Sequence, residues 1–195
     1  MAKKLNVGIC LFDGAEVLDF AGPFEVFSVC SELCDHTLFN VFTVAKDLRP
    51  IRAVNGLSVN PKYVFSNAPK IDILIIPGGE GARVQMKDKE VLNWIDKMHE
   101  TTTYTISICS GALLLGVLGL LDGNSYCTHR EVYDDLKKIV PSGYPRPEKR
   151  YVQSSEMLYT SGGISAGIDL SFHIVELLHG KKIAEQTAYY MEYEL

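Results

Sequence analysis

The chain has 195 residues, of which 47% are hydrophobic and 22% are charged, a composition typical of a globular α/β domain with a sizeable core. The formal net charge of −5 and the lack of a strongly basic segment argue against a nucleic-acid partner. The five cysteines form neither a disulfide framework nor a Cys-x-x-Cys pair, because Cys30 and Cys34 are four residues apart.

The apolar segments are too short to act as a signal peptide or to span a membrane. The stretch that follows Met1-Ala2-Lys3-Lys4 is shorter than a signal h-region, and no small-residue cleavage site follows it. The longest run, Ala112–Leu121, is interrupted by glycines and cannot span a bilayer. We therefore expect a soluble, cytoplasmic protein with no membrane partner.

In the first half of the chain, apolar runs alternate with one helical pattern and one turn signal. The helical pattern predicts Asp19 as the N-cap and places Pro23 in the first turn. Asn55-Gly56 predicts a hairpin turn. In chain order, the predicted elements are a strand at Leu5–Phe12, the helix from Asp19, a strand at Phe39–Ala45, a hairpin over Ile51–Phe65 and a strand at Ile71–Ile76.

The second half begins with the turn Pro77-Gly78-Gly79 and continues the alternation. In chain order, the predicted elements are a helix at Glu90–His99, a strand at Tyr104–Ile108, a helix closed by Leu120–Gly123, a short strand or turn at Tyr126–His129, a helix at Arg130–Ile139, a loop at Pro141–Pro147, strands at Tyr151–Val152 and Met157–Thr160, a helix ending at His179 and a helix at Lys181–Glu194.

This alternation, without repeats or linkers, predicts a single domain over residues 1–195. Its fold class is α/β, a three-layer flavodoxin-like sandwich with a mainly parallel central sheet. Gly162-Gly163 and Gly167 do not form a dinucleotide-binding fingerprint, because their spacing is wrong and they come late in the chain.

The segment around Cys109 predicts a nucleophile elbow, a buried strand that turns sharply into a helix. Ser110, Gly111 and Ala112 are small enough for close backbone approach, and Gly111 tolerates unusual dihedrals. The bend would point Cys109 out of the carboxyl edge of the sheet at a helix N-terminus, which favours an anion. We therefore predict a nucleophilic thiol with a lowered pKa. The alternative is a cysteine that serves only as a small buried hydrophobe.

Two other turns should reach the same sheet edge, where open α/β sheets place their ligands. Asp19 would move a proton, and the backbone N–H groups of Gly79 and Ser110 would hold developing negative charge. Taken singly, Asp19 is better explained as a helix cap and the glycines as a tight turn, but together these features are what a thiol enzyme needs. His129 is a rival base, or a histidine with a structural partner.

Several motifs resemble the ThiJ/PfpI superfamily, which has the class I glutamine amidotransferase-like fold. These motifs are Gly14–Asp19, Ile75–Gly79 and Ser107–Ala112. Later segments resemble the isocyanide hydratase branch, which in turn resembles the N-terminal domains of some AraC-type regulators. The later segments are Thr128-His129, Thr160–Asp169 and Ala188–Tyr193.

The resemblance implies roles for the matching residues. Cys109 takes the place of the nucleophile, and Asp19 that of the acidic residue that hydrogen-bonds it. Ser110 stands where the hydratase branch usually has threonine and where the peptidase and glyoxalase branches often have histidine, so the Cys-His dyad is absent. The expected catalytic residues are Cys109, Asp19 and Ser110, and the expected oxyanion-binding or substrate-binding residues are Gly78, Gly79 and His129.

The implied activity is that of an isocyanide hydratase-like lyase, with no metal or cofactor. Water would add to an isocyanide through a thioimidate on Cys109, giving an N-substituted formamide. To supply the proton, Asp19 would need its pKa raised by burial and by the nearby thiolate. The alternatives are another thiol enzyme of the superfamily, such as an amidase, peptidase or glyoxalase-like hydrolase, and a non-enzymatic stress protein whose Cys109 is oxidised.

The expected partners are a small-molecule substrate and, by resemblance, a second copy of the chain in a homodimer. Phe24 and Phe27 on the first helix are candidates for the dimer face or, alternatively, for the core. The late helix lacks the His-x-Glu pattern of a glutamine amidotransferase. Because the sequence ends at Leu195, we expect no helix-turn-helix domain.

Overall fold

The computed structural model describes residues 3–195, so Met1 and Ala2 of the predicted N-terminal segment lie outside it. The strands are β1 Leu5–Leu11, β2 Phe39–Ala45, β3 Ile51–Arg52, β4 Ser58–Val59, β5 Tyr63–Val64, β6 Ile73–Ile76, β7 Tyr104–Ser107, β8 Ser125–Tyr126, β9 Tyr144–Pro145, β10 Tyr151–Gln153 and β11 Leu158–Ser161. The helices are α1 Val17–Glu32, α2 Ala82–Gln85, α3 Lys89–His99, α4 Ala112–Val117, α5 Tyr133–Ile139, α6 Ala166–His179 and α7 Lys181–Tyr190.

Seven strands form the central sheet in the order β10-β11-β7-β6-β1-β2-β5. All neighbours are parallel except β10, which runs antiparallel to β11. β6 is buried along its whole length, as expected for a parallel strand covered on both faces. The predicted α/β class with a mainly parallel central sheet is confirmed.

Six of the helices fall into two groups whose members contact one another. The first group consists of α1, α6 and α7, and the second of α2, α4 and α5. Gly22 allows α1 to approach α6 closely, because a Cβ at this position would lie 2.8 Å from Ile168 Cγ1. No helix in the part of the chain that the structure describes is both long and apolar enough to cross a bilayer.

The start of α1 differs from the prediction. Glu16, in extended backbone, is the N-cap, and its side chain accepts a hydrogen bond from the Val17 N–H. The prediction of Asp19 as the N-cap is therefore wrong, since Asp19 lies within the first turn. Pro23 lies inside the helix beyond that turn, so its predicted position is wrong as well.

The predicted hairpin over Ile51–Phe65 is only partly correct. β3 and β4 pair antiparallel around Asn55 and Gly56, both of which have positive φ. β5 instead pairs in parallel with β2 at the sheet edge. The last helix ends at Tyr190 rather than Glu194, because the chain turns at Glu192 (φ 51°) and Tyr193 stacks on Phe172.

Candidate active site

Cys109 sits on a sharp bend between β7 and α4. A 3-10 turn, Cys109–Gly111, joins the strand to the helix. Cys109 has φ 57°, in the left-handed region that few non-glycine residues adopt. Gly111, which would tolerate unusual dihedrals, is instead right-handed helical with φ −55°. The strained residue of the bend is the cysteine itself.

Glycines make the close packing of this bend possible. At Gly111, a Cβ would lie 2.4 Å from the Ile76 carbonyl oxygen. At Gly78, a Cβ would lie 2.5 Å from Ser110 N and 2.8 Å from Cys109 Cβ. Any side chain at these positions would push the turn after β6 away from the thiol.

The backbone of Cys109 is held from two other segments. Its N–H donates to the Gly162 carbonyl at 3.1 Å, and its carbonyl accepts from Thr128 Oγ1 at 2.8 Å. Thr128 was not predicted as a site residue, because a threonine after a short strand carries no distinguishing signal. Its hydroxyl is buried and ties the β8 region to the elbow.

Asp19 is fully buried next to Cys109. Its Oδ2 accepts a hydrogen bond from the Gly78 N–H at 2.9 Å, whereas Oδ1 makes none with the described atoms. Burial raises the pKa of Asp19 to about 7, and the Glu16 charge adds to this rise. The Gly78 N–H, the Cys109 thiol and the Ile164 N–H all lower that pKa. The pKa is therefore raised by burial, as expected, whereas the Cys109 thiol lowers it rather than adding to the rise.

The thiol of Cys109 does not have the lowered pKa that its position predicted. Burial, followed by the negative charge of Asp19, raises its pKa to about 12. The Ser110 and Gly79 N–H groups and the Ser110 hydroxyl lower it, but they offset only part of that rise. Because each anion is disfavoured by burial and by the other, the pair retains at least one proton at neutral pH.

Ser110 fixes the peptide that was expected to hold negative charge. Its Oγ accepts a hydrogen bond from the Gly79 N–H at 2.9 Å and donates to the Gly79 carbonyl at 2.9 Å. Gly79 has φ 103°, and a Cβ there would lie 2.2 Å from the Gly14 carbonyl oxygen. Gly78 was expected to bind the oxyanion or the substrate, but its N–H donates a hydrogen bond to Asp19 instead.

His129 lies beside the elbow without bonding to its reactive groups. Its ring packs on Gly163, where a Cβ would lie 2.3 Å from His129 Cδ2. Its Nδ1 accepts from the Glu131 N–H at 3.3 Å. Within residues 3–195, no hydrogen bond joins His129 to Cys109 or Asp19. The alternative that His129 has a structural partner is therefore supported by an identified contact, the Glu131 N–H.

Ile164 is a site residue that the sequence did not reveal. It has φ 53°, which a β-branched residue rarely adopts, and its N–H lowers the pKa of Asp19. The preceding Gly162-Gly163 marks a tight turn after β11, but glycines alone do not show which residue carries the positive φ.

Two clefts lie away from the thiol. One, of about 360 Å³, lies at the carboxyl ends of β1 and β2 and is lined by residues such as Leu11, Ala45 and Phe65. The other, of about 700 Å³, lies between α6, α7 and the last residues. Cys109 lines neither cleft, so local geometry rather than cavity size identifies the candidate site.

Known proteins match this chain over nearly its full length. A profile of the DJ-1/PfpI family matches residues 5–177. The isonitrile hydratase of Pseudomonas putida is 32% identical over 189 residues, which is 97% of this chain and 78% of that protein. A solved ThiJ/PfpI family protein from Pseudomonas syringae has a TM-score of 0.88 and 28% identity, over 100% of this chain and 77% of the other.

Regulators match as well. The HTH-type transcriptional regulator GbdR of Pseudomonas aeruginosa is 24% identical over 97% of this chain, but the match covers only 51% of that protein. The chain therefore spans about half the length of this regulator. The matched proteins include both an enzyme and a transcription factor.

Proposed function

The chain belongs to the DJ-1/PfpI family, and on that premise we propose that it is a cysteine-dependent hydratase that converts isocyanides to N-substituted formamides. The observation that carries the proposal is the placement of the Cys109 thiol, on a positive-φ bend, next to the buried carboxyl of Asp19. The 32% identity to the Pseudomonas putida isonitrile hydratase supports this substrate class.

In the first step, Cys109 adds to the substrate. The sulfur forms a bond to the terminal carbon of R–N≡C while the thiol proton passes to the Asp19 carboxylate. Asp19 then returns that proton to the same carbon, giving the thioimidate R–N=CH–S–Cys109. Because burial raises the pKa of Asp19 to about 7, the carboxyl can accept and release this proton near neutral pH.

In the second step, water releases the product. The water oxygen bonds to the thioimidate carbon while Asp19 accepts a proton from that water. Asp19 then passes this proton to the nitrogen. The C–S bond then breaks, the remaining hydroxyl proton passes to sulfur, and R–NH–CHO leaves. The thiol and the carboxylate are restored, so no oxidant, reductant or cofactor is consumed.

The backbone around the thiol supports the anionic stages of both steps. The N–H groups of Ser110 and Gly79 lower the pKa of Cys109, so they favour negative charge on sulfur. The Ser110 hydroxyl holds the Gly79 peptide in place through two hydrogen bonds. His129 has no assigned step, because its Nδ1 is engaged by the Glu131 N–H.

The test is direct turnover of a simple aryl isocyanide, with the formamide quantified by chromatography and mass spectrometry. We expect formamide from the wild-type protein and from Cys34→Ala, whose cysteine lies two residues beyond the end of α1, and none from Cys109→Ala. Equal rates for wild type and Cys109→Ala would refute the mechanism. No turnover of alkyl or aryl isocyanides, with turnover of an ester, amide or α-oxoaldehyde, would replace the hydratase by another thiol enzyme.

We also propose a homodimer, following the family resemblance. Phe24 is 37% exposed and Leu18 is 44% exposed on α1, which supports an apolar contact surface there. Phe27 is fully buried and belongs to the core instead. Sedimentation of the wild type and of Phe24→Glu tests this: we expect a dimer that weakens in the variant, and a monomeric wild type would contradict it.

A further inference from the structure

The segment Gly162–Ser165, between β11 and α6, borders the thiol site. The Gly162 carbonyl accepts the Cys109 N–H at 3.1 Å. Ile164 has φ 53°, and its N–H lowers the pKa of Asp19. A β-branched residue keeps such a backbone only where surrounding contacts hold it. The contacts of this segment therefore decide whether the Gly162 carbonyl stays on the Cys109 N–H and whether Ile164 keeps its positive φ.

Arg150 contacts both ends of this segment. Its carbonyl accepts the Gly162 N–H at 2.8 Å, and its Nη2 donates to Ser165 Oγ at 3.2 Å. Ser165 occupies the N-cap position of α6, yet its side chain makes no capping hydrogen bond. The hydroxyl that would normally cap the helix is instead directed to Arg150.

The guanidinium of Arg150 is itself held in place. Its Nε donates to Asp169 Oδ2, in the first turn of α6, and Tyr193 Oη donates to the other carboxylate oxygen. The turn at Glu192 brings Tyr193 back onto α6. The Arg150 guanidinium therefore links the start of α6 to the segment Gly162–Ser165 and, through Asp169, to Tyr193 near the C-terminus.

We propose that Arg150 is a positioning residue for the thiol site, which holds Gly162–Ser165 so that the Gly162 carbonyl stays on the Cys109 N–H. The side chain of Arg150 is 57% exposed, and an ion pair that exposed adds little to overall stability. Arg150 acts on the local geometry of this segment. Only the turnover measurement rests on the proposed function, whereas the alkylation measurement does not.

The test uses Arg150→Gln and Ser165→Ala in the full chain. Arg49→Gln is the matched control, because it removes an exposed arginine ion pair, with Asp47, on a loop that does not contact Gly162–Ser165. The first readout is alkylation by iodoacetamide at pH 7.5, measured peptide by peptide as the ratio of Cys109 to the partly exposed Cys34. The second readout is the pH dependence of formamide production.

We expect the Cys109 to Cys34 ratio to rise about threefold to tenfold in Arg150→Gln, less in Ser165→Ala, and not at all in Arg49→Gln. A released segment uncovers the thiol, and a less ionised Asp19 repels the thiolate less. The acid limb of the pH–rate profile should move to higher pH, since an N–H that lowers the pKa of Asp19 is withdrawn. Glu16 and Cys109, the titratable neighbours of Asp19, are unaltered in both variants.

An unchanged alkylation ratio in folded Arg150→Gln and Ser165→Ala would overturn the role of Arg150. If Arg150→Gln does not fold, Ser165→Ala decides, because it removes only the exposed contact to the segment. If the wild type turns over no isocyanide, the alkylation ratio still decides the question. Failure of the proposed function and failure of the positioning role are thus separate outcomes.

Discussion

Asp19 and Gly78 are joined by a hydrogen bond of 2.9 Å from the Gly78 N–H to the carboxylate, which links α1 to the turn after β6. The same glycine has no room for a side chain, since a Cβ would lie 2.8 Å from Cys109 Cβ. The acid, the turn and the thiol therefore pack against one another, and the predictions below concern how each depends on the others.

Replacing Cys109 should separate chemistry from backbone strain. Both Cys109→Ala and Cys109→Gly should produce no formamide. The glycine variant should be more stable than the alanine variant by about 0.5–1 kcal/mol, because glycine adopts φ 57° without steric cost. Urea unfolding of the two variants measures the difference. An alanine variant that is the more stable of the two would contradict strain at the elbow.

Asp19→Asn should remove a pH-dependent loss of stability. The carboxyl has an ordinary pKa of 3.8 and a folded-state pKa of about 7, so the folded protein binds the proton more tightly than the unfolded chain. Wild-type stability should therefore fall as pH rises from about 4 to about 7 and then level off, by up to about 4 kcal/mol from this group. Asp19→Asn should gain stability relative to wild type at pH 8 but not at pH 4. Thermal melts at the two pH values test this, and an equal effect at both would contradict the raised pKa.

The pH–rate profile should report the shared proton. The competent form has one proton on the Cys109–Asp19 pair, and it predominates between pKa values of about 7 and about 12. We expect kcat/KM for an aryl isocyanide to rise through about pH 7 and to stay level above it. Asp19→Asn should lose this limb together with about 10²–10⁴-fold of the activity. A limb that persists in Asp19→Asn would assign it to another group.

Ser110 should matter through its hydroxyl rather than its size. Ser110→Ala leaves the Gly79 N–H and carbonyl without their partner, which should cost about 1–2 kcal/mol of stability and about tenfold in kcat. Ser110→Thr keeps the hydroxyl and should retain most of both. Urea titrations and turnover of the two variants provide the comparison. Equal losses in both would contradict a role that depends on the hydroxyl alone, because Ser110→Thr retains it.

Most of the sheet could be predicted because buried parallel strands are short apolar runs. β2 is confirmed over its full predicted length, and the ends of β1 and β6 differ from the predictions by one or two residues. The start of α1 could not be predicted, because Glu16 and Asp19 are both acidic residues near the first turn and only the backbone decides which one caps it. β5 was misassigned because two apolar residues do not indicate which neighbouring strand they will pair with.

The sequence by itself determined the order of the longer strands and helices and the presence of a cysteine on a strand-to-helix bend, since both depend on local residue size and hydrophobicity. Only the tertiary structure decided the protonation of the site, because the pKa of Asp19 and of Cys109 depends on burial and on distances between groups remote in sequence. It also decided that the positive φ falls on Cys109 and Ile164, where packing, and not residue type, imposes the backbone conformation.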